Sequence, residues 1–217
     1  MKPHTLIFDC DGVVLNSNAV KTEAFFEVCQ PFGHAEAEQL VHYHVAHGGI
    51  SRFAKFEYFI TQILQRQFDA ALHRQLTEQY GQTVYEALLS CELTPNLAYW
   101  RQRLADTQWA IVSGGAQTEL RAVFRERGID DWFDVGIYGS PTPKPKILRD
   151  QFDALSPYSA SFIGDSRYDY QCATAANTAF AFMSDWTEVE DWRQFCEQNQ
   201  IEHHPTVDAF LTQRFKE

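Results

Sequence analysis

The chain lacks the features that would place it outside a reducing, aqueous compartment. Its five cysteines (Cys10, Cys29, Cys91, Cys172 and Cys196) show no Cys-x-x-Cys spacing and no compact framework, which argues against disulfides and a structural zinc. No stretch approaches the roughly 20 apolar residues of a membrane span, and the N-terminus lacks the long apolar stretch of a signal peptide. Positive charge is scarce: 18 Lys and Arg against 29 Asp and Glu leave a net charge of −11, the opposite of the basic patch that nucleic-acid binders carry. Internal repeats and low-complexity tracts are also missing. These absences predict a cytoplasmic protein with neither a membrane nor a nucleic acid as partner.

The composition is that of an ordinary globular chain. Its 217 residues, 45% of them hydrophobic, 22% charged and 14% aromatic, suffice for one good core with room for a second small unit. Four short apolar runs end in turns: Leu6-Ile7-Phe8 into Asp9-Cys10-Asp11-Gly12, Trp109–Val112 into Ser113-Gly114-Gly115, Ser161-Phe162-Ile163 into Gly164-Asp165-Ser166, and Ala179–Met183 into Ser184-Asp185. A weaker fifth run, Asp134–Tyr138, leads into Gly139-Ser140-Pro141. Helical patterns follow at about 117–127, from Ser166 to about Ala176, and from about Thr187. Short apolar strands alternating with such helices predict an α/β fold with a doubly wound parallel sheet.

From Asn16 to about Ser90 helical periodicity dominates, with Ala24, Phe25 and Val28 on one stretch and Phe53, Phe56, Phe59, Ile60, Ile63 and Leu64 on another. This reads as an all-helical cap over the carboxyl end of the first strand. The predicted division is a core of residues 1–15 and 91–217 with an inserted cap of residues 16–90. The aromatic stripe reads as cap core. The segment after Gln198 reads as a short loop plus a terminal helix.

Polar residues suited to phosphoryl transfer sit at each strand end. Asp9 and Asp11 are one residue apart, so in a strand they begin on one face. Two acids so close repel unless a cation or a shared proton relieves them, and a hard ion such as Mg2+ would do so. Ser113-Gly114-Gly115 offers a hydroxyl and unhindered N–H groups before a helix, a ready anion site. Pro143-Lys144-Pro145 holds one lysine in a stiff loop, and Asp165 and Asp169 stand four residues apart, Asp165 as the cap of a helix starting near Ser166 and Asp169 one turn further on the same side. Each feature alone also fits an ordinary Asx turn, helix cap or solvated loop; their convergence on one crevice at the ends of parallel strands fits chance poorly.

With those residues in view the chain resembles the haloacid dehalogenase superfamily of hydrolases, in the subfamily with a helical cap after the first core strand, which includes phosphoglycolate phosphatases and β-phosphoglucomutases. The motifs are Asp9-Cys10-Asp11-Gly12-Val13, Ile111-Val112-Ser113-Gly114, Lys144-Pro145, and Gly164-Asp165-Ser166-Arg167-Tyr168-Asp169. The resemblance implies that Asp9 attacks phosphorus to form an aspartyl-phosphate. Asp11 would then protonate the leaving oxygen and afterwards activate water. It implies Mg2+ on the Asp9 side chain, the Asp11 backbone carbonyl and Asp165, with Asp169 a ligand or the holder of a metal-bound water. Ser113, Gly114 and Lys144 would hold the phosphoryl oxygens, with Lys146 in reserve.

In this family an acid at position 11 accompanies phosphate chemistry; dehalogenases and phosphonate-cleaving members lack it, and P-type ATPases carry Thr. The implied activity is Mg2+-dependent hydrolysis of a small phosphate ester of sugar, sugar-acid or glycolate type. The alternatives are a sugar phosphomutase of the β-phosphoglucomutase type and a catalytically retired binding module. Two positions depart from the family pattern: Asn16 stands where an acid is usual, either residue being able to cap a helix, and Lys21 stands where phosphatases and mutases often have histidine. In the cap, Gly48-Gly49 breaks one helix and Ser51 starts the next, so Arg52 and Lys55 share a face. With Lys21 they are the candidate contacts to the leaving group. His42, His44 and His47 fit no standard metal spacing and read as polar lining. A monomer or a homodimer is expected.

Overall fold

The computed structural model describes residues 4–156 and 159–215. Its framework is one six-stranded sheet of order β3-β2-β1-β4-β5-β6, with every pairing parallel. In chain order β1 (Thr5–Phe8) is followed by α1 (Asn18–Cys29), α2 (His34–Ala46), α3 (Arg52–Tyr58), a π-helical turn (Phe59–Ile63) and α4 (Ala70–Ser90). The chain then returns through α5 (Leu97–Arg103), β2 (Gln108–Ala116), α6 (Gln117–Glu126) and β3 (Gly136–Ser140). It continues through α7 (Lys144–Asp150), α8 (Phe152–Leu155), β4 (Ala160–Gly164), α9 (Arg167–Ala175) and β5 (Ala179–Met183). The last elements are α10 (Trp192–Asn199), β6 (Glu202–His204) and α11 (Val207–Arg214). The doubly wound α/β sheet with a helical cap is the architecture predicted from the sequence.

The central strands are apolar on both faces, as helices covering both sides of a parallel sheet require. Leu6, Phe8, Trp109 and Ile111 pack on one side together with Phe124 and Phe133. Ile7, Ala110, Val112 and Phe162 pack on the other with Ile147 and Leu148 of α7 and Cys172 of α9. The cap builds its own layer from Phe25, Phe56, Phe59, Ile60 and Tyr80, with Phe25 4.3 Å from the Tyr80 ring and 5.2 Å from Phe56. Each such side chain contributes about 1.5–3 kcal/mol on full burial, so the aromatic stripe is structural.

Two chain excursions leave β1 in opposite directions: β2 and β3 lie to one side, and β4, β5 and β6 to the other. The carboxyl ends of β1 and β4 therefore flank the point where strand order reverses, the place where open α/β sheets bind ligands.

Four local expectations are corrected. The helix expected from Thr187 begins at Trp192, because Ser184–Asp191 crosses the strand ends as a loop instead. The tail after Gln198 contains β6, a three-residue polar edge strand whose composition carries no strand pattern. Asp165 does not cap α9: Ser166 does, in a capping box with Asp169. Asn16 caps nothing; it donates to Glu92, and the cap position of α1 belongs to Ser17.

Candidate active site

Asp9 follows the last residue of β1 and is 3% exposed. Its backbone N–H still donates to the carbonyl of Ile163 at 2.8 Å, so strand geometry carries the side chain to the end of β4. The chain then turns at Gly12, whose φ of +72° suits glycine. A Cβ there would stand 2.1 Å from Asp165 Oδ2; glycine lets the first loop lie against the fourth strand's acid.

Asp9, Asp165 and Asp169 are all buried, and one carboxylate oxygen from each lies within 4.8 Å of the others. Burial pushes Asp9 up to about 7 against the pull of Lys144. Asp165 is raised well above its ordinary value, by burial and by the charges of Asp169 and Asp9. Three buried acids this close ask for positive charge, and an all-oxygen donor set suits a hard divalent cation. Lys144 provides part of it. Its Nζ stands 2.8 Å from Asp9 Oδ2 and also binds Asp169 Oδ1, and these two carboxylates hold the ammonium in its charged form despite burial. Lys144 is the first residue of α7, with Pro145 beside it in the first turn, where the missing proline N–H costs nothing. Lys146 points away and pairs with Asp150 in solvent.

Asp169 has little freedom left. Ser166 Oγ donates to its Oδ2 at 2.6 Å and Lys144 takes Oδ1. It anchors the lysine and the start of α9 together.

The Asp11 carboxylate stands apart from the three-acid cluster. Lys21 Nζ is 2.6 Å from Oδ1, and the Ser17 hydroxyl donates to the same oxygen at 2.6 Å. Burial alone would raise Asp11; the Lys21 ammonium and these hydrogen bonds hold it below its ordinary value. Ser17 is the cap residue of α1 yet makes no side-chain cap bond to the helix, because its hydroxyl is directed to Asp11.

Ser113 is 1% exposed and lies inside β2, where pairing with β3 shifts register between Val112 and Ala116. It is not a helix cap, since Ala116 holds that position for α6. Gly114 is where the cap meets the core: a Cβ on it would stand 2.3 Å from the Gly49 carbonyl oxygen. The glycine pair that ends α2 thus seats against the serine loop.

The cavity under this contact has a volume of about 60 Å3. Asp9, Asp11, Gly114 and Asp165 line it from the core, and Lys21 of α1 with Arg52 and Lys55 of α3 from the helical insert. The two α3 cations are buried, at 6% and 1% exposure, so neither is a solvated surface charge. Arg52 is engaged by Glu119 of α6 and stacks 4.6 Å above the Tyr80 ring. Of the three histidines, His42 and His47 are exposed, and His44 is buried against Lys55.

Several residues of the site carried no motif. Asn18 donates to Asp165 Oδ2 at 2.7 Å and to the Trp186 carbonyl at 2.8 Å. The Thr187 hydroxyl donates to the Asp165 carbonyl, and Glu188 accepts from Thr22. All belong to segments leaving β1 or β5 at the same sheet edge. That topology was the available signal; the residue types were not.

Among known proteins the chain is similar, at 26% identity over 201 residues (86% of this chain, 85% of the relative), to pyrophosphatase PpaX of Bacillus cereus strain AH820. Its fold is similar to that of a Lactobacillus plantarum protein provisionally described as a phosphoglycolate phosphatase (TM-score 0.71, 22% identity, 97% of this chain and 99% of that one). It is also similar to that of β-phosphoglucomutase from Clostridium difficile (TM-score 0.71, 15% identity, 95% and 92%). The model of the haloacid dehalogenase-like hydrolases matches residues 3–177, a span that holds the paired acids of the first loop, Ser113, Lys144 and the Asp165–Asp169 turn. The chain belongs to the haloacid dehalogenase-like hydrolase family.

Proposed function

We propose that the protein is a Mg2+-dependent phosphatase of a small phosphorylated metabolite, working through a phospho-Asp9 intermediate in a reducing cytoplasm. The observation that carries this reading is the meeting of Asp9, Asp165 and Lys144 at the reversal point of the sheet, with the Asp11–Lys21 pair beside them. Asp9, Asp165 and Asp169 would hold the ion, with the Asp11 carbonyl as the further donor the family resemblance implies. Mg2+ supplies charge neutralisation for the phosphoryl oxygens.

The chain's own groups do the rest. An Asp9 oxygen attacks phosphorus, the bond from phosphorus to the leaving oxygen breaks, and the leaving oxygen takes a proton from the Asp11–Lys21 pair where it needs one. Asp11 then removes a proton from the water that attacks the phospho-Asp9, which releases phosphate and restores the carboxylate. Ser113, Gly114 and Lys144 position the phosphoryl group. An Asp11 held ionised by Lys21 is a better base than acid, which favours leaving oxygens that depart readily. The buried ion pair that occupies Arg52 with Glu119 weighs against a sugar phosphomutase, which must hold a bulkier sugar phosphate.

The test is phosphate release across a panel of phosphometabolites, pyrophosphate and phosphoglycolate included, with Asp9→Asn as the blank. Mg2+-dependent release absent from the blank is the expected result. Silence across the panel from folded protein, or interconversion of sugar phosphates without phosphate release, overturns the reading.

A further inference from the structure

Three cations of the helical insert line the cavity, and two are already paired: Arg52 by Glu119 and Lys21 by Asp11. Lys55 is different. Among the described residues no carboxylate lies within 4 Å of its ammonium, and its hydrogen-bond partners are His44 Nδ1 at 2.5 Å and the His44 carbonyl at 3.4 Å. The Phe25 ring stands 5.6 Å away. A buried ammonium facing only neutral acceptors lacks the counter-charge that burial ordinarily demands.

His44 repeats the deficit. With Nδ1 accepting from the ammonium, the ring hydrogen resides on Nε2. That atom is buried with no hydrogen-bond partner. The nearest carboxylate, Glu188 Oε2, is 3.8 Å away, beyond hydrogen-bond reach. Glu188 is itself occupied through Oε1 by Thr22 at 2.6 Å. Two donors on adjacent helices, α2 and α3, thus border the same cavity as the Asp9 carboxylate with no acidic oxygen to receive them.

We propose that Lys55 and His44 form the subsite for the leaving group, and that this subsite takes acidic oxygens, those of a carboxylate or of a second phosphoryl group. The inference rests on the phosphatase reading of the site. Burial pushes Lys55 down to about 7, against the pull of Glu188, the behaviour of an ammonium whose counter-ion is not part of the fold. An acidic group on the substrate supplies it. Glu188 is the resident competitor for the His44 donor, so it limits how much negative charge the subsite accepts.

The test compares kcat/KM for substrates with acidic leaving groups, pyrophosphate and phosphoglycolate, against p-nitrophenyl phosphate, whose leaving group carries no second acid. Lys55→Met and His44→Gln are each expected to lower the acidic-to-neutral ratio about 10- to 100-fold, the range for a hydrogen bond to a charged group. Glu188→Gln is expected to raise it. The two acidic substrates separate a carboxylate from a phosphoryl preference. A ratio that stays the same in Lys55→Met and His44→Gln, with both variants folded by thermal denaturation, overturns the subsite. Failure of the wild type on all three substrates overturns the phosphatase reading instead. In that case the subsite is tested by calorimetry: phosphonoacetate and methylenediphosphonate should bind more tightly than methylphosphonate, and Lys55→Met should abolish the difference. Equal binding of the three overturns it.

Discussion

Arg52 and Glu119 meet across the boundary between the helical cap and the sheet. The guanidinium of Arg52, on α3, forks onto both carboxylate oxygens of Glu119, on α6, with Nη1 to Oε2 at 3.0 Å, and the side chains are 5% and 10% exposed. The Tyr80 ring covers the fork. A bidentate pair is directional as well as strong, so this contact fixes how the cap sits over the strand ends.

Breaking the pair on one side should be costly. Glu119→Ala leaves the Arg52 charge buried and alone, and a loss of about 3 kcal/mol is expected. The double replacement Arg52→Met with Glu119→Leu should recover most of it, since apolar residues of similar volume need no counter-charge. Thermal denaturation of both variants checks this; equal losses would show that the pair's charge is not what matters.

Magnesium should stabilise the folded chain through the three-acid cluster. At a concentration 100-fold above its dissociation constant the ion adds about 2.7 kcal/mol, and Asp165→Asn should remove most of that gain. The readout is the melting temperature with and without MgCl2. A wild type indifferent to the ion would rule out the cluster as its site.

Gly114→Ala should impair turnover while the sheet stays folded. The added methyl meets the Gly49 carbonyl, a backbone atom that a side-chain rotation does not relieve, so the cap must ride up. A misplacement of this kind costs roughly 10²-fold in kcat/KM. Circular dichroism reports the fold and steady-state kinetics the loss; unaltered kinetics would mean the cap seats elsewhere during catalysis.

Lys55 should leave a signature in the pH dependence of stability. Its folded-state value of about 7 lies below the 10.5 of an unfolded lysine. Between those values the unfolded chain binds the extra proton, so this residue makes stability rise with pH across that window. Its penalty is fully present below pH 7. In Lys55→Met that rise should vanish, and the variant's advantage over the wild type should be largest near pH 7 and shrink towards pH 10. Parallel stability curves would contradict the buried-ammonium reading.

Much of this candidate site was legible in the sequence, for a physical reason. The acids at the strand ends occupy fixed offsets from apolar runs: Asp9 and Asp11 follow Leu6-Ile7-Phe8, and Asp165 follows Phe162-Ile163-Gly164. The run of β-residues and the turn after it are both local. Ser17, Asn18, Glu119 and Glu188 were not legible, because their roles depend on which segments the fold brings together. Ser17 looks like a helix cap, and only the path of the chain after Gly12 gives its hydroxyl to Asp11. Thr187 and Glu188 read as the start of a helix because nothing in their types announces a loop pinned to Asp165. The strand β6 was missed since three polar residues at a sheet edge are held by their neighbours, not by their own preference.

The clasp of Lys144 by Asp9 and Asp169 has a further consequence. It joins the end of the central strand to the first turns of α7 and α9, so the charges that would handle phosphate also rivet three segments of the scaffold. A descendant that abandoned chemistry could not simply discard them. Losing either acid would leave the buried ammonium with one counter-charge instead of two, and losing the lysine would crowd three carboxylates. Drift towards a silent protein must therefore pass through a weakened one, a barrier that by itself helps keep such a centre intact.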